Sequence, residues 1–94
     1  MPTKPRVVVV TGGSRGIGAE IVAQAAAGRW TVCFSYIEAE DAASSLTARV
    51  EADGGRAVAI QADISREADV VGLFEAASAL GPVCGLVANA AIVA

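Results

Sequence analysis

The stretch that most constrains the fold is "VVVVTGGSRGIGAE", which occupies residues 7–20. A short β-branched run that stops at glycine predicts a buried strand over 6–11. Apolar residues at helical spacing then predict a helix that is capped by Gly28 and has one apolar face, formed by Ile17, Ile21, Val22 and Ala25. A glycine loop between a strand and a helix can bind phosphate, because a helix N-terminus offers unpaired N–H groups and partial positive charge.

The rest of the chain repeats this alternation of strand and helix. Further strands are predicted over 30–36, 56–61 and 83–88, and further helices over 39–53 and 67–80. Gly54-Gly55 and Gly81-Pro82 end these two helices, and Ser65 is the predicted cap of the second one. Their predicted apolar stripes are Ala42, Leu46 and Val50, then Val70, Leu73, Phe74 and Ala77.

This order of elements, βαβαβαβ with short connections, predicts the fold class. Crossovers between parallel strands are almost always right-handed, so the chain is expected to form an α/β, doubly wound, Rossmann-type open parallel sheet. The expected strand order is 3-2-1-4, with helices on both faces.

Charge and composition exclude several classes of function. The net charge of −3 lacks the basic excess of a nucleic-acid-binding module. No apolar run approaches the ~18 residues that span a bilayer, and the four-valine run is too short for a secretory signal. We therefore expect a cytoplasmic protein without nucleic-acid or membrane partners. With no histidine and two cysteines, the chain also lacks a Cys/His metal site and a Ser-His-Asp or Cys-His mechanism.

The two cysteines, Cys33 and Cys84, are both expected to be buried, as free cysteines usually are. In the predicted strand order the first strand separates them. Two inter-strand steps amount to roughly 9–10 Å, whereas a disulfide joins Cα atoms less than about 7 Å apart. No disulfide is expected between them.

The spacing of the glycine loop is T-G-x-x-x-G-x-G, from Thr11 to Gly18, and not G-x-G-x-x-G, because Ile21 stands at the third position of that motif. Gly12 allows a tight turn out of the strand, Gly16 allows close approach of a pyrophosphate, and Gly18 allows the helix to pack on the sheet. Ser14 and Ile17 can add hydroxyl and backbone donors. An ordinary glycine turn is the alternative interpretation.

Residues 11–18 resemble the cofactor loop of the short-chain dehydrogenases/reductases, and two further motifs stand in the family's order. "QADIS" contains Asp63 and Ile64, and "VANAAIV" contains Asn89 and Ala90. The resemblance covers essentially the whole chain and implies that Asp63 accepts a hydrogen bond from the adenine amino group while Ile64 packs beside the ring. Asp63 could instead be a solvated or helix-capping residue, and Asn89 could brace the strand end as well as contact cofactor.

The family usually reads Asn-Asn-Ala-Gly where this chain has Ala88-Asn89-Ala90-Ala91. The first departure removes one side-chain tie near the strand. The second requires a negative φ at Ala91. Cofactor contacts at this position can therefore differ from the family's usual ones.

The end of the second strand bears on which nicotinamide cofactor binds. NAD-binding Rossmann units carry an acidic residue about 20 positions after the loop, on the ribose 2′-hydroxyl. Here Ser35 and Tyr36 stand at that point. Arg15 can reach a 2′-phosphate, and in the family a basic residue before the second loop glycine accompanies NADP. The family's second NADP marker, an arginine, is replaced by Ile37. NADP is expected, with NAD as the alternative cofactor and a solvated Arg15 as the alternative role.

No catalytic residue is predicted in this chain. The resemblance implies hydride transfer between the nicotinamide and a carbonyl or alcohol substrate, with a Tyr-x-x-x-Lys pair in the later half of a longer polypeptide. The only tyrosine and lysine here are Tyr36 and Lys4, which do not form that pair.

We therefore expect residues 1–94 to be the amino-terminal part of a single dinucleotide-binding domain, inactive alone. Its 54% apolar composition and its apolar fourth strand at the sheet edge favour a covering partner, namely the carboxy-terminal half of the same enzyme. The complete enzyme is expected to be a homo-oligomer. The alternative is a catalytically inert, stand-alone nucleotide-binding or interaction module from a truncated gene.

Overall fold

The computed structural model describes residues 6–12 and 16–88 of the chain. Strands and helices alternate within these ranges, in the predicted order. The elements are β1 (Val7–Thr11), α1 (Gly16–Ala27), β2 (Thr31–Tyr36), α2 (Glu40–Ala52), β3 (Arg56–Gln61), α3 (Glu67–Leu80) and β4 (Val83–Ala88).

The four strands form one parallel sheet in the order β3-β2-β1-β4, as predicted. Val9 on β1 pairs with Cys33 on β2 and with Leu86 on β4. Cys33 in turn pairs with Val58 on β3. Because all strands run in the same direction, their carboxyl ends meet at one edge of the sheet, where ligands bind in open α/β folds.

Helices cover both faces of the sheet, so the central strands are buried on both sides. All five residues of β1 and the first five of β2 are buried. Side chains alternate between the faces along each strand. One core cluster joins α1 and α2 to Val8, Val10, Val32 and Phe34. The other joins α3 to Val7, Val9 and Cys33.

The buried face of α1 differs from the predicted one. Gly18, Val22 and Ala26 are its buried residues, whereas Ile17 is 75% exposed. Residues four apart share a face, and Ile17 is turned about 100° from Gly18 around the helix axis. In α2 the buried set likewise contains Ala43, Leu46 and Val50, so Ala43 takes the predicted place of Ala42.

Two predicted helix caps are wrong. After α1 the residue with left-handed backbone is Arg29, at φ 71°, and not Gly28, whose N–H bonds back to the carbonyls of Gln24 and Ala25. The N-cap of α3 is Arg66, and the hydroxyl of Ser65 donates elsewhere. The predicted stop at Gly54 is confirmed by its φ of 87°.

The edge position of β4 overturns the prediction for one cysteine. Cys33 is buried, whereas Cys84 is exposed because β4 has a neighbouring strand on one side only. Both cysteines are free, and β1 lies between their strands. Leu86, also on β4, is 55% exposed, as expected of an apolar edge strand. No helix within the described ranges is long and apolar enough to cross a membrane.

Candidate functional site

The candidate site lies at the carboxyl edge of the sheet. There the chain leaves β1 at Thr11, β2 at Tyr36 and β3 at Gln61, and α1 begins at Gly16. Two hydrogen bonds tie the ends of β2 and β3 together. The Ala62 N–H donates to the Tyr36 carbonyl at 2.9 Å, and the Gln61 side-chain amide donates to the Ile37 carbonyl at 3.0 Å.

Glycines stand at both described ends of the loop between β1 and α1, where the backbone conformation favours them. Gly12 has φ 71° and Gly16 has φ 60°, a left-handed conformation that a side chain would strain. A Cβ placed on Gly16 would meet no described atom within 4 Å. Among the described residues, none outside its own stretch of chain approaches Gly16, and the start of a helix offers backbone N–H groups that can bind an anion.

Neighbouring strands hold the base of this loop. The backbone N–H of Gly12 donates to the Ser35 hydroxyl oxygen at 3.0 Å, and the Thr11 hydroxyl donates to the Val87 carbonyl at 3.5 Å. Ser35 is only 2% exposed, so its hydroxyl lies beneath the loop. The sequence places Ser35 at the strand tip, but periodicity does not reveal which way its hydroxyl points.

Asp63 lies two residues beyond the end of β3, and its carboxylate is held by its own turn. The backbone N–H of Ser65 donates to Asp63 Oδ1 at 3.0 Å, and the Ser65 hydroxyl donates to the same oxygen at 2.6 Å. These hydrogen bonds, first the hydroxyl and then the backbone one, lower the pKa of Asp63 below its ordinary value, and the charge of Arg66 acts in the same direction. Asp63 is thus an ionised acceptor at neutral pH.

Asp69, in the first turn of α3, holds the backbone of the same turn. Its Oδ2 accepts a hydrogen bond from the Asp63 N–H at 2.8 Å. The sequence analysis missed this residue. A signal was present, because Asp69 precedes the buried Leu73 and Ala77 at four-residue intervals, and an acidic residue on a buried helix face requires a donor partner.

The remaining predicted site residues are partly outside the described ranges. Tyr36 and Ile64 are both half-buried, Ile17 is exposed and Gly18 is buried against the sheet. Four predicted residues lie outside the described residues: Ser14, Arg15, Asn89 and Ala90. Within the part of the chain that the structure describes, no group of three or more Cys, Asp or Glu residues is placed to hold a metal ion.

The family model described as short chain dehydrogenase matches residues 6–94. The chain belongs to the short-chain dehydrogenase family. Elsinochrome reductase 1 of Elsinoe fawcettii is 38% identical over 74 residues, which cover 79% of this chain and 28% of that protein. The chain therefore spans less than a third of the length of this relative.

Two solved structures share the fold closely. A blue fluorescent protein from a metagenomic library, in complex with NADPH, is 47% identical with a TM-score of 0.89, over 95% of this chain and 37% of that one. FolM alternative dihydrofolate reductase 1 from Brucella suis, in complex with NADP, is 37% identical with a TM-score of 0.82, over 92% and 36% of the two chains. Both similarities confirm the Rossmann-like sheet.

Proposed function

We propose that this chain is the cofactor-binding part of an NADP-dependent short-chain oxidoreductase, which transfers hydride between the nicotinamide and a carbonyl or alcohol substrate. The observation that carries the proposal is the arrangement of Gly12, Gly16 and Asp63 at one edge of a parallel sheet, in a chain that belongs to this family. It combines an anion-binding helix start with an ionised acceptor two strands away.

The loop after β1 suits the pyrophosphate of a dinucleotide. The left-handed φ of Gly16 and the open space at its Cβ position let phosphate oxygens approach the backbone N–H groups at the start of α1. Ser14 and Ile17 are the proposed additional donors. Gly18 is buried in α1, as its proposed role in close packing of helix on sheet requires.

The turn after β3 suits the adenine end of the same molecule. The ionised carboxylate of Asp63 can accept from the adenine amino group, and the half-buried Ile64 can pack beside the ring. Asn89 and Ala90, which follow β4, are proposed to line the cofactor further along the sheet edge.

The preference for NADP rests on the tip of β2 and on Arg15. Ser35 and Tyr36 end this strand, so no carboxylate stands there to repel a 2′-phosphate or to bind a ribose 2′-hydroxyl. Arg15 supplies the proposed positive charge for that phosphate. Two relatives of the same fold, complexed with NADPH and with NADP, support this preference.

We further propose that residues 1–94 form the amino-terminal part of a single domain, completed by a carboxy-terminal half that carries the catalytic groups and the subunit contacts of a homo-oligomer. The chain has no Tyr-x-x-x-Lys pair, so by itself it is expected to bind cofactor without transferring hydride. The alternative is a stand-alone, catalytically inert nucleotide-binding or interaction module, which would not transfer hydride either. Both proposals predict that the 94-residue chain does not oxidise NADPH with carbonyl substrates. Oxidation would show instead that this chain is an enzyme by itself.

Replacement of Arg15 tests the cofactor preference. In the complete protein, Arg15→Ala should weaken NADPH binding by about tenfold or more and NADH binding by less than about twofold, since only NADPH carries the 2′-phosphate. Titration calorimetry measures both. Arg56→Ala is the matched control, because Arg56 is exposed at the start of β3, at the opposite edge of the sheet. An equal loss for both cofactors would remove Arg15 from this role.

A further inference from the structure

In the turn after β3, hydrogen bonds hold both the side chain and the backbone of Asp63. Both described donors to the Asp63 carboxylate come from Ser65, and both reach the same oxygen, Oδ1. The 2.6 Å bond from the hydroxyl is short, as expected for a charge-assisted O–H···O bond. Two bonds to one oxygen fix the rotation of the carboxylate. They leave Oδ2 as the oxygen that an incoming donor can use.

The backbone of Asp63 is fixed separately, from α3. Asp69 Oδ2 accepts the Asp63 N–H at 2.8 Å, and α3 is anchored on the sheet through Leu73 and Ala77, at 1% and 0% exposure. Asp69 lies one and two helical turns before these residues, on the same face. The next peptide group towards β3 is also held, because the Ala62 N–H bonds to the Tyr36 carbonyl.

We infer that Ser65 and Asp69 are positioning residues for recognition of the nucleotide base: Ser65 orients the Asp63 carboxylate so that Oδ2 receives the exocyclic amino group, and Asp69 sets the backbone of Asp63. This inference rests on the proposed function, since it requires an adenine nucleotide at the site. Neither side chain touches the nucleotide. Both act through Asp63.

A dinucleotide that differs from NADP at a single position of the base tests the inference. Nicotinamide hypoxanthine dinucleotide phosphate has a carbonyl oxygen where NADP has the amino group, so it cannot donate to Asp63 there. The complete protein should prefer NADP over this analogue, and calorimetry gives the ratio of the two dissociation constants. Ser65→Ala and Asp69→Ala should each reduce that ratio by about three- to tenfold, which is the effect of one hydrogen bond.

The ratio of the two dissociation constants distinguishes a positioning role from an effect on overall stability. A purely structural role would weaken both ligands equally and leave the ratio unchanged, which would overturn the inference. Ser78→Ala and Asp41→Ala are matched controls and should keep the wild-type ratio, because Ser78 is exposed on α3 and Asp41 is an exposed acid in the first turn of α2.

Conservative variants test whether the ratio of dissociation constants depends on the hydrogen bonds themselves. Asp69→Asn keeps an oxygen acceptor for the Asp63 N–H and should retain most of the ratio, whereas Ser65→Cys has only a weak donor and should lose part of it. These variants decide the matter if the alanine variants fail to fold. A wild-type protein that binds both dinucleotides equally would also overturn the inference. A protein that binds neither would instead overturn the proposed function.

Discussion

At the scale of single residues, the site depends on serine side chains that hydrogen-bond to the loop backbone and to the Asp63 carboxylate. Ser35 accepts the Gly12 N–H under the loop, and Ser65 donates twice to Asp63. Hydrogen bonds to an ionised group are shorter and stronger than those between neutral groups. Ser65 therefore lowers the pKa of the Asp63 carboxyl as well as orienting it.

The titration of Asp63 tests this effect of Ser65 on the pKa. Its pKa in the folded protein is lowered mainly by the Ser65 hydrogen bonds. The associated stability is fully present above the ordinary aspartate pKa of about 3.9 and is lost as the pH falls through the lower folded value. Ser65→Ala should move the pKa of Asp63 upward, towards the ordinary value. Carbon-13 NMR of the side-chain carboxyl measures it, and an unchanged pKa would show that Ser65 does not lower the pKa of Asp63.

At the scale of elements, the packing of α1 against the end of α2 depends on a position without a side chain. A Cβ on Gly55, in the turn after α2, would lie 3.0 Å from Val50 Cγ1 and 3.1 Å from Ala26 Cβ. Val50 and Ala26 are both buried, so neither can move aside freely. Gly72, in the middle of α3, has no described atom within 4 Å of its Cβ position.

The two glycines therefore give opposite predictions for the same substitution. Gly55→Ala should lower the free energy of unfolding by about 1–3 kcal/mol, the usual result of overpacking. Gly72→Ala should raise it by about 0.5–1 kcal/mol, because alanine is the better helix former. Denaturant unfolding measures both. A Gly55→Ala protein at least as stable as the wild type would contradict the contact.

The elements themselves could be predicted because their signals are local. Valine runs, four-residue spacing and glycine stops identified the four strands, α2 and α3 within one residue of their observed ends, while for α1 only an apolar face and a cap were predicted. The errors have tertiary causes. Arg29 rather than Gly28 adopts the left-handed φ, and which α1 residues are buried depends on how the helix is rotated against the sheet.

The site was only partly predictable. Asp63 and the loop glycines were found because they belong to motifs, whereas Asp69 acts from the next helix, six residues away, and belongs to none of them. The direction of the Ser35 side chain depends on a contact with Gly12, just after β1, that no local pattern records.

At the scale of the whole molecule, β3 and β4 are the two edge strands of the sheet, and β1 and β2 are its central strands. Every second residue of β4 is exposed, including Cys84 and Leu86. The central strands are in contrast fully covered. The chemistry of the two cysteines follows from this asymmetry.

Thiol labelling tests the asymmetry. Burial raises the pKa of Cys33 to about 11, so this thiol carries almost no reactive thiolate at mildly alkaline pH. In the folded 94-residue chain, Ellman's reagent should therefore modify Cys84 and leave Cys33 intact, and denaturant should expose both. Rapid modification of both thiols in the folded state would contradict the fold, and Cys33→Ala is the control that assigns the reactive residue.

The central claim, that this chain binds a nicotinamide dinucleotide at the carboxyl edge of its sheet, is tested most directly by an NMR map of backbone amides during titration with NADPH. The account predicts a dispersed spectrum in which the amides of Gly12, Gly16 and Asp63 shift, while those of Gly54 and Arg56, at the opposite edge, do not. A dispersed spectrum that NADPH leaves unchanged, or shifts confined to the opposite edge, would contradict it.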